Sequence, residues 1–337
     1  MAFNVAVLGT GRIGGSYLKV VQNAGHNVRA VAEPREEQVA PLKKSHPDVE
    51  FVADYKEALK RKDIDIVVLT LPHWLHHRAA IDALNAGKHV FVEKPMALNT
   101  EECDEMIAAA KKSGRLLLVA HTQRYFTPVK KMKEIVDSKE LGEVVMVHDI
   151  WHKVLAPETR PKWMLDGTRG GGMGQMDGSH MIDRLLWILG SDVSSVSARV
   201  GNFTHPQIPA DDTAMCFLRW KHGPVATISR IAFDHGKGFT EYGADYFFTK
   251  GQAKFRIAYG RGPTQKDGVW IAKNDEWVEV PTSKTDSLVD EFKDFAKAVE
   301  SGAKQPPIPM AHGRQVIEVL EATEESSRTG REVILGA

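Results

Sequence analysis

Six residues near the start, Gly9-Thr10-Gly11-Arg12-Ile13-Gly14, restrict this chain more than any other segment. They stand between an apolar, β-branched run, Asn4-Val-Ala-Val-Leu8, and a helix-period stretch that begins at Ser16. Glycines at that spacing, at a strand-to-helix junction, suit a turn that brings backbone against a pyrophosphate. Gly9 frees the tight turn, Gly11 lets the backbone approach the anion, and Gly14 allows close helix packing, while Arg12 and Ile13 complete the loop and the helix N-terminus supplies amide donors. Glu33 follows the second apolar run, Asn27-Val-Arg-Ala-Val31, about twenty residues beyond the last glycine. A carboxylate there accepts hydrogen bonds from the adenosine ribose hydroxyls and repels a 2′-phosphate, which favours NAD; Arg35, two residues on, leaves NADP as the alternative.

The alternation continues through Asp65-Ile-Val-Val-Leu69, His89-Val-Phe-Val92 and Leu116-Leu-Leu-Val119, with Gly25, Gly87 and Gly114 as left-handed ends of the helices between. Repeated strand-helix units predict a doubly wound parallel sheet, an N-terminal Rossmann domain over residues 1–122. Beyond it the runs lengthen to 143–148, 194–200, 214–220, 225–233, 246–249 and 253–257. Turn residues at Lys221-His-Gly-Pro224 and Thr249-Lys-Gly-Gln252 predict hairpins. Helices are expected at about 287–301 and 312–329. The fold class is therefore α/β, with a C-terminal α+β domain over residues 123–337 built on a large, mainly antiparallel open sheet. A chain of 337 residues accommodates two such domains.

Composition excludes several functions. Lys+Arg and Asp+Glu both number 44, so the chain lacks the positive field that nucleic acid or anionic lipid binding needs, and a small-molecule partner fits better. No apolar run reaches the length of a membrane span. Cys103 and Cys216 form no Cys-x-x-Cys pair, and the histidines 73, 76 and 77 complete no recognised ligand motif, so no metal is expected. The early first strand leaves no room for a signal segment, which makes the expected location cytoplasmic.

Further motifs appear in order: Thr70-Leu71-Pro72-His73-Trp-Leu-His76, Glu93-Lys94-Pro95, Gln123-Arg124-Tyr125, and Gly170-Gly-Gly172 leading to Asp177, His180 and Asp183. Asp211-Asp212-Thr213 and the ending Ala322-Thr-Glu-Glu-Ser326-Ser-Arg-Thr-Gly330-Arg complete them. With these residues the sequence resembles, over nearly its whole length, the Gfo/Idh/MocA oxidoreductases, the family of glucose-fructose oxidoreductase and inositol dehydrogenase. The resemblance implies that Thr70, Leu71, Pro72, His76, Glu93 and Lys94 border the cofactor. It makes Lys94 the lysine that reaches both nicotinamide ribose and substrate hydroxyl, and His180 the catalytic histidine. A histidine titrating near neutrality suits the removal of a hydroxyl proton, and an ammonium at the same oxygen stabilises alkoxide charge.

One position departs from the family pattern. The usual aspartate four residues before the histidine is Met176 here, and the acid is Asp177, three before His180. Asp177 either orients His180 from a position about 100° around the helix or caps the helix start. Arg124 binds a substrate hydroxyl or carboxylate, or holds the domains together. Of Trp151, His152 and Trp163, the last two are taken as pocket candidates, since aromatic rings with polar tips line polyol sites; core or interface positions fit them as well.

The expected activity is hydride transfer between a secondary hydroxyl of a sugar, sugar derivative or cyclitol and NAD(P), by a homodimer or homotetramer. Two alternatives remain open: an NAD-dependent glycosidase or lyase that recycles its cofactor, and a non-enzymatic dinucleotide sensor.

Overall fold

The apolar runs become strands and the stretches between them become helices. In the computed structural model, residues 2–234, 236, 238–258 and 266–336 are described. Along the chain these are β1 (Asn4–Leu8), α1 (Gly14–Asn23), β2 (Asn27–Ala32), α2 (Glu36–Ser45), β3 (Glu50–Val52), α3 (Tyr55–Lys60), β4 (Ile66–Leu69), α4 (His76–Asn85), β5 (His89–Glu93), α5 (Thr100–Ser113) and β6 (Leu117–Ala120). Then come α6 (Thr127–Ser138), β7 (Val144–Val154), α7 (Ser179–Leu189), β8 (Val193–Gly201), β9 (Thr213–Trp220), β10 (Val225–Phe233), β11 (Glu241–Phe248), β12 (Gly251–Arg256), β13 (Gly268–Lys273) and β14 (Glu276–Glu279). α8 (Ser287–Glu300), α9 (Met310–Thr329) and β15 (Val333–Ile334) close the described chain.

The residues divide into two compact units, Met1–Thr122 with Asp286–Arg314, and Gln123–Thr285 with Gln315–Ala337. In the first, six parallel strands run in the order β3-β2-β1-β4-β5-β6. The order reverses between β1 and β4, and ligands bind at the carboxyl ends of strands beside such a switch. Every residue of β4 is buried, as expected of a sheet covered on both faces. Gly25, Gly87 and Gly114 do take positive φ.

The expected second domain ran unbroken from 123 to 337, but residues 286–314 pack in the first unit. The reason is the apolar stripe of α8. Phe292 and Phe295 are fully buried, with ring centroids 5.5 and 5.7 Å from that of Phe91 on β5. Burying a phenylalanine is worth roughly 1.5–3 kcal/mol, so two of them fix the helix against this sheet.

The second unit carries nine strands in the order β14-β13-β12-β11-β7-β10-β9-β8-β15. All neighbours are antiparallel except β7 and β10. Both expected hairpins form, β9 to β10 and β11 to β12. β7 runs six residues past its expected end, and along it Val147, Asp149, Trp151 and Lys153 are buried while Met146, His148, Ile150 and His152 are partly exposed. Among the described residues no helix is long and apolar enough to cross a membrane.

Candidate functional site

In the first unit the glycine turn is built as its spacing implies. Gly9 has φ +93°, and a Cβ there would stand 2.8 Å from the Thr70 carbonyl oxygen. A Cβ on Gly14 would meet the Gly9 carbonyl oxygen and lie 2.5 Å from Thr70 Oγ1. Neither position admits a side chain. Gly11 opposes nothing, and Arg12 and Ile13 are exposed beside it. The α1 N-terminus has no side-chain cap and no acid in its first turn, so its amides and dipole face outward for an anion. These residues fit a dinucleotide pyrophosphate.

Glu33 directly follows β2, with its side chain 2% exposed. Its carboxylate accepts from the Thr10 amide at 2.9 Å and hydroxyl at 3.1 Å. Arg35 donates to it through its amide at 3.2 Å, Nε at 2.6 Å and Nη2 at 2.9 Å. Burial alone would raise the carboxyl pKa, but the Arg35 and Thr10 bonds outweigh it and bring it down to about 2. The acid is thus ionised and already charge-paired, a more even-handed environment for a 2′-phosphate than a bare carboxylate would be.

Across the switch, the Thr70 hydroxyl donates to the Gly9 carbonyl at 2.7 Å, which ties the loop after β4 to the glycine turn. Leu71 and Pro72 follow, both half-buried. His76 is fully buried, its Nε2 2.8 Å from the Leu71 carbonyl and its Nδ1 2.8 Å from that of Pro95. It therefore clamps two loops together. Burial holds its pKa below the ordinary value, and a neutral ring donates to only one of those carbonyls. Glu93 and Lys94 lie at the carboxyl end of β5. Tyr17 donates to Glu93 Oε1 at 2.8 Å and the Lys94 amide to Oε2 at 3.2 Å, while burial raises the Glu93 pKa. Lys94 is half-buried.

In the second unit a glycine-rich loop leads into a π-helical turn, Gly174–Gly178, directly before α7. The glycines make room for their surroundings. A Cβ on Gly171 would lie 2.5 Å from the Trp163 carbonyl oxygen, one on Gly174 would lie 3.1 Å from Arg230 Nη2, and one on Gly178 would overlap Arg230 Nη1. Arg230, on β10, is held there by Asp211 at 2.7 Å, whose Oδ2 also accepts from the Gly174 amide at 2.9 Å. Asp177 is buried in the π turn and pairs with Lys153 of β7 at 2.5 Å, both side chains being about 5% exposed. His180 follows in the first turn of α7, its ring centroid 6.1 Å from that of Trp151. Trp151 stacks on Tyr242 at 4.2 Å, and Lys153 Nζ stands 5.3 Å from the Trp151 ring.

Two expectations change here. His152 points to the opposite face of the sheet from Trp151 and Lys153 and contacts Ser229 Oγ at 3.2 Å, so it is not brought to His180; strand alternation delivers its two neighbours instead. Arg124 is buried and donates twice to Asp183, by Nε at 2.9 Å and Nη2 at 2.7 Å, so its guanidinium anchors α7. Trp163 sits half-buried in a short 3₁₀ turn, Lys162–Leu165. Lys153 and Arg230 were not singled out from sequence, though Asp149, Trp151 and Lys153 recur with the period of one strand face. Among the described residues no group of three His, Cys, Asp or Glu side chains is arranged to hold a metal ion.

Comparison with known proteins gives two family matches. A family model described as "Oxidoreductase family, NAD-binding Rossmann fold" covers residues 3–121, and one described as "GFO/IDH/MocA C-terminal domain" covers residues 129–252. The chain is 27% identical to scyllo-inositol 2-dehydrogenase (NADP(+)) IolW of Bacillus subtilis (strain 168), over 98% of this chain and 95% of that protein. Among solved structures it resembles levoglucosan dehydrogenase in complex with NADH and levoglucosan, with a TM-score of 0.87 at 21% identity over 100% of both chains. It also resembles myo-inositol 2-dehydrogenase from Lactobacillus plantarum, with a TM-score of 0.83 at 22% identity over 99% of both chains.

Proposed function

Since the chain belongs to the Gfo/Idh/MocA oxidoreductase family, we propose that it is an NAD(P)-dependent dehydrogenase of a secondary hydroxyl on a sugar, sugar derivative or cyclitol. The observation that carries this reading is a glycine turn shaped for a pyrophosphate in a chain whose other unit places His180 at the start of the helix that follows the π turn of the buried Asp177. The first unit binds the cofactor and the second holds the substrate.

When bound, the nicotinamide supplies the hydride acceptor. His180 takes the proton that leaves the hydroxyl as the carbon is oxidised, and the Lys94 ammonium steadies the negative charge growing on the oxygen. His76 keeps the backbone after Lys94 in place through the Pro95 carbonyl. Trp151 and Lys153, and not His152, are the β7 side chains brought to His180 and Asp177, and Trp163 lines the substrate pocket. Glu33 and Arg35 receive the adenosine ribose, with NAD preferred and NADP admitted.

Incubation of the protein with NAD or NADP and a panel of sugars, inositols, sugar acids and glycosides should produce reduced cofactor, read by its near-ultraviolet absorbance. Lys94→Ala is expected to lower kcat by about 10²- to 10³-fold, as for loss of one charge-stabilising group. Arg35→Ala should raise KM for NADP about tenfold, the loss of one charge-assisted contact, and move KM for NAD by less than about threefold. Glycoside cleavage that needs NAD without net reduction would replace this reading with that of a cofactor-recycling lyase.

The second unit's sheet also leaves one face open. Met215 is 57% exposed on β9, next to Ser229 of β10, which is in turn paired with the partly exposed Ile150 of β7. We propose that a second copy covers this face in a homodimer or homotetramer. Light scattering at micromolar concentration should give a multiple of 37.4 kDa, reduced by Met215→Glu; a monomer would refute it. Cys103 and Cys216 are both buried and not joined in a disulfide, in keeping with the reducing cytoplasm as its proposed location.

A further inference from the structure

Four acid–base pairs surround α7 and the strands beneath it. Three use arginine: Arg184 with Asp149, Arg124 with Asp183, and Arg230 with Asp211. In the fourth the cation is a lysine, Lys153, and its acid is Asp177. A guanidinium is a rigid fork that locks a carboxylate in place and stays charged, whereas an ammonium is a compact point charge. The lysine pair supplies the acid on the N-terminal side of the proposed base, while Asp183 and Arg184, one turn after it on α7, are held by Arg124 and Asp149.

Asp177 lies in the π turn, one residue before its end at Gly178, and precedes His180, in the first turn of α7, by three residues. Trp151 neighbours both Lys153 and His180, its ring 5.3 Å from the ammonium and 6.1 Å from the imidazole centroid. The other charged groups on the facing elements each have a partner of opposite sign, Asp183 with Arg124, Arg184 with Asp149 and Arg230 with Asp211, and Asp211 also lies within electrostatic reach of Asp177. Asp177 stands where a β7 side chain meets it.

We propose that Lys153 is a positioning residue for His180, holding the Asp177 carboxylate in the turn before α7 and setting how readily that ring takes up a proton. The catalytic consequence rests on His180 being the base; the ring's protonation does not. With Lys153 present the pair is neutral toward His180. Without it the uncompensated carboxylate favours the imidazolium, and without the carboxylate the bare ammonium disfavours it.

The test is the titration of the His180 ring by NMR in the full chain, assigned by loss of its signal in His180→Gln. Lys153→Met should raise the midpoint by about one unit, Asp177→Asn should lower it by about one unit, and the double variant should return to within a few tenths of the wild type. Lys153→Arg, which keeps the charge, should leave it near the wild-type value, and with Asp177→Asn decides the matter if the methionine variant does not fold. Shifts of the same sign, no shift in either single variant, or a double variant that fails to cancel would overturn the proposal. The pH profile of kcat/KM should follow the ring titration in every variant. A ring that shifts as described while the profile stays put would show that His180 is not the base and leave the role of Lys153 standing.

Discussion

His180→Ala is expected to lower kcat by about 10²- to 10⁴-fold, the range for loss of one general base, with cofactor affinity within about twofold of wild type. The proton on the substrate hydroxyl must leave as the carbon gives up hydride, and water in its place is a weak base without fixed orientation. His180 opens α7, whose buried side chains Ile182, Leu185 and Leu186 hold the helix from the other side, so alanine should remove the imidazole without displacing the backbone. Stopped-flow mixing with reducible cofactor and a substrate found in the panel reads the effect, and a fluorescence titration with cofactor supplies the control. An unchanged kcat would remove His180 from the mechanism. A weaker cofactor affinity of the same size would instead mean damage to the fold.

Asp149→Ala is expected to destabilise the second unit by about 3–5 kcal/mol, because it leaves a buried guanidinium without its counter-charge. Arg184 is 0% exposed. It donates to Asp149 Oδ2 through Nε at 2.7 Å and contacts Oδ1 through Nη2, while Nη1 donates to Gln123 at 2.7 Å and to the Tyr242 hydroxyl at 2.8 Å. Burial alone would lower the arginine pKa, but the carboxylate outweighs it and keeps the group charged. The double variant Asp149→Ala/Arg184→Met should recover most of the loss, since an apolar pair of similar volume carries no desolvation cost. Denaturant unfolding followed by tryptophan fluorescence distinguishes these outcomes: a single variant that unfolds at the wild-type midpoint would show that the pair contributes little. The same change should disturb the site, because Asp149 precedes Trp151 and Lys153 on one face of β7 and Arg184 lies one turn after His180.

Much of this was legible in the sequence because backbone constraint leaves its mark on residue type. Gly9 and Gly14 are glycines because a Cβ at either place would strike the loop at Thr70. The helix α8 was equally legible, since its apolar spacing says that one face is buried. The same spacing does not say against what, so its union with Phe91 in the first unit emerged only from packing. The apolar run marks β7 only as far as 148, and the polar Asp149, His152 and Lys153 beyond it carry no strand signal of their own. Asp149 and Lys153 are buried against partners on α7 and the π turn, far along the chain, and ion pairs of that kind have no periodic signal. Ending the strand early also hid its alternation, and with it the choice of Lys153 over His152. The short β3 and the fully exposed β14 offer no alternation at all.

The return of residues 286–314 to the first unit bears on how the protein is made. When Thr122 has left the ribosome, all six strands of the parallel sheet are present, yet Phe91 still lacks Phe292 and Phe295. At about 5–20 residues per second, residues 123 to 314 take on the order of ten to forty seconds more to appear. During that interval the nascent Rossmann half carries an uncovered apolar surface and can be only provisionally folded. The second unit, whose sheet is interrupted by the same excursion before β15, finishes later still. Synthesis of this chain therefore does not release one finished half and then the other: the first unit is completed only after most of the second has been made.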